Sequence, residues 1–172
     1  IWYRSDGATV GTTSLDPNLT DQIVISEPIV IGSKAYFQAG NTTTGVEPWV
    51  TDGSTAGTHI LADVNTSNQS GNSNNLTRIG TTAKYVFSSN DGINGEELWV
   101  TDFTTAGTHM VRELQTGTEN SGQSSPTQFY AAGNKVFFRA FSDATGWELW
   151  VTDGTSAGTR AIDLNPGRPD SY

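Results

Sequence analysis

Apolar residues fall in short runs separated by stretches of Thr, Ser, Asn and Gly. Ala35-Tyr36-Phe37, Tyr85-Val86-Phe87 and Val136-Phe137-Phe138 are nearly continuous in apolar residues, where a half-exposed strand would alternate. They read as strands covered on both faces. The last complete period reads in full. Thr127 to Ala132 is a strand ended by Gly133-Asn134, and Lys135 to Phe141 is a second. A loop from Ser142 to Trp147 leads into Glu148 to Thr152, the third strand. A tight turn from Asp153 to Gly158 leads into Thr159 to Leu164, the fourth. Long polar linkers such as Asn65 to Asn75 and Gln115 to Ser125 connect one period to the next.

The period is set by a twelve-residue motif. It runs from Glu47 through Trp49, Thr51, Asp52, Gly53 and Gly57 to Thr58, and recurs from Glu97 to Thr108 and from Glu148 to Thr159. A degenerate copy starts at Trp2 and passes through Asp6, Gly7, Gly11 and Thr12. The Trp-to-Trp spacings of 47, 50 and 51 residues fit a four-stranded propeller blade better than a helical solenoid. The predicted fold is therefore all-β, with four-stranded antiparallel blades repeating about every 50 residues. Residues 1–20 form a half blade, 21–66 a first blade, 67–116 a second, and 117–172 a third with a tail. About three and a half blades do not close a ring, since closed propellers have typically 4–8. The chain, which opens in what reads as mid-strand, is expected to be a fragment of a larger ring or assembly.

The motif resembles the Glu-Leu-Trp-x-Thr-Asp-Gly-Thr-x-x-Gly-Thr repeats of large bacterial secreted and surface proteins. The full period is similar to the blades of TolB-type β-propellers, with a turn before Lys34, Lys84 and Lys135 and an aromatic strand before Asp-Gly. The resemblance covers nearly the whole chain. It implies a propeller in an extracellular or cell-surface bacterial setting and brings no catalytic residues with it.

Composition narrows the function. The chain of 172 residues carries 25 Thr, 16 Ser, 12 Asn and 19 Gly, which favours strands and turns. Its net charge of -9 argues against a phosphate-tracking nucleic-acid surface. No apolar run approaches the ~20 residues of a membrane-spanning helix, so no membrane insertion is expected. Cysteine is absent, which removes thiol nucleophiles, disulfides and Cys-ligated metals. With only His59 and His109, on different units, a Ser/His/Asp triad or a His-based zinc site is not expected.

Two candidate sites remain. Trp147 lies in the loop before the third strand of its unit, where the other units have Val46 and Glu96, and is the best candidate for a ligand-facing aromatic. Asn90, Asp91, Asn94 and Glu96 concentrate oxygen atoms around Gly92 and Gly95, loosely like a calcium loop. Ordinary turn chemistry explains the same residues, and no cofactor is otherwise expected. Glu47, Glu97 and Glu148 are too far apart for a glycosidase pair and are expected to bond a loop backbone or an Arg. The resulting expectation is a non-catalytic extracellular binding and interaction module. Its partner would be a protein, a glycan or another copy of the chain meeting open blade faces. The alternatives are a building block of a surface layer or filament, and part of a larger propeller enzyme.

Overall fold

The computed structural model describes residues 3–4, 13–14, 23–24, 26–115 and 124–164. Every strand pairing is antiparallel, and no helix occurs among the described residues. Two short strands, β1 (Tyr3–Arg4) and β2 (Thr13–Ser14), pair with each other. Three larger sheets follow in chain order, each a meander of neighbouring strands. The chain divides into two compact units, Ile1–Asn72 and Ser73–Tyr172.

The first sheet joins β3 (Ile23–Val24), β4 (Ile29–Ile31), β5 (Lys34–Asn41), β6 (Gly45–Thr51) and β7 (His59–Ile60). Its first strand is broken: β3 and β4 both pair with β5, on either side of Glu27-Pro28. Proline has no N–H for a ladder. Within the gap the Gln38 N–H donates instead to the Ser26 hydroxyl, at 2.8 Å.

The second sheet runs β8 (Asn74–Arg78), β9 (Tyr85–Asn90), β10 (Glu96–Thr101) and β11 (His109–Arg112). The third runs β12 (Thr127–Ala132), β13 (Lys135–Ser142), β14 (Gly146–Thr152) and β15 (Arg160–Ile162). Their first strands, β8 and β12, slip register at equivalent places, where Asn75 and Gln128 have φ of 62° and 55°. Such a bulge bends a strand and raises its twist.

Trp99 pairs with Phe87 as Trp150 pairs with Phe138, so the second and third strands of the two sheets share one register; the fourth strands differ, since β11 slips between Leu98 and Trp99 where β15 does not. They share one core. Val86, Leu98 and Val100 of the second sheet pack with Val136, Phe138, Ala140 and Trp150 of the third. Arg112 reaches across at the outer edge and donates to the Thr159 carbonyl. In the first sheet Phe37, Ala39 and Trp49 form the corresponding cluster with Ile60.

Burial on both faces, expected of all second strands, holds for β9, whose interior is wholly buried. It does not hold for β13. There Val136, Phe138, Ala140 and Ser142 are buried while Phe137, Arg139 and Phe141 are half-buried. One face of the third sheet meets the second sheet, and the other does not.

Candidate functional site

The twelve-residue motif is spent on structure. In each copy the Asp accepts the backbone N–H and the hydroxyl of the residue two positions on: Ser54 for Asp52, Thr104 for Asp102, Thr155 for Asp153. The side-chain hydroxyl bond, aided by the backbone N–H, holds each carboxyl below its ordinary value. The same hydroxyls accept the N–H of Gly57, Gly107 and Gly158. A Cβ on any of these glycines would strike the Asp carboxylate. The closing Thr donates its one hydroxyl proton to the carbonyl of Ser54, Thr104 or Thr155, at 2.7 Å. The opening Thr must then be the donor in the buried 2.7 Å pairs Thr51–Thr58, Thr101–Thr108 and Thr152–Thr159. Phe103 stands where the sister turns have Gly53 and Gly154, and keeps the same bonds at φ 63°.

Glu47, Glu97 and Glu148 are almost wholly buried. Each bonds the chain that leaves its own sheet. Glu47 accepts the N–H groups of Val64, Asn65 and Gly71 at 3.0, 3.3 and 3.0 Å. Glu97 Oε2 accepts the Leu114 N–H and the Ser124 hydroxyl, both at 2.9 Å, while Oε1 makes no hydrogen bond. Glu148 takes the Leu164 N–H at 3.4 Å. Burial pushes the carboxyls of Glu47 and Glu97 up to about 7, against the downward pull of their donors. The expected bond to a loop backbone is the one found, and it ties the polar linker to the sheet it leaves.

The loop proposed for calcium is closed on itself. Asp91 accepts the N–H groups of Ile93 and Asn94 on Oδ1 and the Asn94 side-chain amide on Oδ2, at 2.7–2.8 Å. Asn90 Oδ1 accepts the Gly92 N–H. Glu96 starts β10, paired with Asn90. Among the described residues no group of three His, Cys, Asp or Glu stands together as a metal site. His59 and His109 begin β7 and β11 and are exposed.

Trp147 does not sit in a loop. It is the second residue of β14, paired with Phe141, because the hairpin closes earlier, at Ser142–Gly146. Its ring meets Phe141 edge-on at 5.8 Å, and the Arg139 guanidinium lies over it at 4.2 Å. Such stacking is worth about 0.5–2 kcal/mol and leaves the arginine N–H groups in plane to bond a partner. Phe137, Leu149 and Ile162 are half-buried on the same face, and Tyr130 is 70% exposed. The chemistry this face offers is contact: an aromatic surface with the Arg139 cation set into it.

Compared with known proteins, the chain matches no family model and no curated relative.

The sequence singled out Trp147 but missed Arg139, Phe141 and Tyr130. The signal was present, since the equivalent positions hold Ser88, Asn90 and Thr77. It emerges only once pairing shows which residues share a face.

Proposed function

We propose that the chain is a segment of a β-propeller that works as a non-catalytic binding and interaction module in an extracellular bacterial setting. The repeated meander sheets, the stacking of the second on the third, and the use of the motif for turns and linkers support this reading. One observation carries it: the face of the third sheet turned away from the second is aromatic and partly open, with Arg139 stacked on Trp147. The corresponding residues of the second sheet, Val86, Ser88 and Leu98, are completely buried.

The test is a titration of the chain against oligosaccharides and against surface proteins of the producing cell, followed by tryptophan fluorescence. Trp147→Ala should abolish the response while leaving the melting temperature within a few degrees. Binding that survives both Trp147→Ala and Phe141→Ala, or breakdown of an oligosaccharide by the purified chain, would overturn the reading. A structural role in a surface layer is favoured by the same open face, because a lattice needs such a contact on every copy.

A further inference from the structure

We propose that the open face of the third sheet docks a second copy of this chain, head to tail. This rests on reading the chain as an interaction module and names the partner of that face.

The argument begins with an interface already present. The second sheet presents Val86, Leu98 and Val100 on one face, and the third sheet covers them to 0–2% exposure. The third sheet presents the equivalent Phe137, Leu149 and Val151 on its own equivalent face. Of these, Phe137 and Leu149 remain half-buried. Beside them Tyr130 is 70% exposed where the second sheet has Thr77. The surface by which the second sheet binds the third is thus repeated, with larger and more aromatic side chains, on the third. Aromatic enrichment of this kind marks protein–protein contacts.

Charge identifies the occupant. Strand alternation puts Lys135 and Arg139 of β13 on this face, and Arg160 joins them through its pairing with Val151. Three of the nine basic residues therefore share it; its strand positions hold no carboxylate, and Asp153, in the turn at its edge, offsets Lys135 and leaves Arg139 and Arg160 to set the sign of the face. Two of the three are departures from the second sheet, where Ser88 and His109 stand in place of Arg139 and Arg160. The same molecule carries 18 acidic residues against 9 basic ones, so the rest of a second copy is strongly acidic. A basic aromatic face on an acidic chain is complementary to another copy's remaining surface and repelled by its own counterpart. Two such faces meeting about a two-fold axis would set their Arg139 and Arg160 cations against each other. The contact is therefore heterologous, which generates rings or open chains instead of closed dimers.

The experiment is sedimentation velocity with light scattering on the full chain, up to about 1 mM. Wild type should show a mass that rises with concentration past the dimer. Tyr130→Lys, at an exposed position where folding is not at stake, should weaken association at least tenfold with an unchanged melting temperature, and Arg139→Glu at least tenfold with a fall of a few degrees from the lost stacking on Trp147. Tyr130→Lys added to wild type should cap the growing species, since its other surface still binds. A wild-type chain that stays monomeric throughout, as it would if the face were covered by a following repeat of a longer polypeptide, overturns the proposal. So does a dimer that stops at two, or association unchanged in both variants. A monomer that still binds another molecule through Trp147 would sink the self-docking and leave the interaction module standing. A monomer with no such binding would sink both.

Discussion

The two buried carboxyls with raised pKa differ in one atom's surroundings, and that difference is measurable. Glu47 uses both oxygens to accept N–H groups, whereas Glu97 uses only Oε2. A glutamine at 97 can place its carbonyl at Oε2 and keep both bonds, so Glu97→Gln should change stability by less than about 1 kcal/mol. A glutamine at 47 must turn its amide against an N–H donor, and should cost about 1–3 kcal/mol in chemical denaturation. Both carboxyls also make stability depend on pH. Folded, they hold a proton up to about 7; in the ordinary range they release it near 4.5. The folded state binds more protons between these values, so stability is fullest below 4.5 and falls as pH rises through 7. Calorimetry should show a higher melting temperature at pH 5 than at pH 8, by several degrees, with a flatter profile in Glu97→Gln. Phe103 makes a third case. Its left-handed backbone costs about 1–2 kcal/mol, but its ring is buried at 4.9 Å from Tyr85. Phe103→Gly relieves the backbone and empties the site, which costs about 3–5 kcal/mol. The melting temperature should fall, although glycine is what the sister turns contain.

At the level of elements, legibility followed local chemistry. The third strands and the turns after them could be read because Trp49, Trp99 and Trp150, and the Asp and Gly that follow, repeat without change of spacing. Trp49 and Trp150 are buried, and Trp99 is half-buried. The turn's hydrogen bonds recur in all three copies, at 2.8, 3.0 and 2.9 Å for the N–H to the Asp and at 3.0 Å each for the glycine N–H. Gly158→Ala should therefore be among the most damaging small substitutions. Its Cβ enters the Asp153 carboxylate and disturbs the Thr155 bonds, and hydrogen exchange should quicken from Thr152 to Ile162 before elsewhere. The first strands were harder to read, since nothing in Ile23 to Ile31 announces that Glu27-Pro28 splits one strand into β3 and β4. Trp147 was misplaced for a related reason. Hairpin length is fixed by pairing across the turn, and Ser142–Gly146 closes it before the tryptophan. Of the half blade anticipated at 1–20 only Tyr3–Arg4 and Thr13–Ser14 are described, and they pair with each other; Trp2 lies outside the described residues.

For the whole molecule, repetition reveals both its construction and its exception. Three sheets use the same motif for the same turn, and the same glutamate for the linker that leaves the sheet, so these residues explain how the chain is held together. The third sheet adds cationic and aromatic side chains on the face turned away from the second, at Arg139, Phe141, Trp147 and Tyr130, where the second sheet has Ser88, Asn90, Glu96 and Thr77. The sequence could not show that departure as a surface, because alternation assigns faces only after register is known. In the function proposed above, this face is where the protein meets its partner. Hydroxyl-radical footprinting of the purified chain, compared with the protein in place in its native setting, tests it most directly. Tyr130 should lose most of its reactivity in place, while Ile93 and Val30, exposed at 74% and 75% on other elements, react as before. A Tyr130 that reacts equally in both settings would contradict the account.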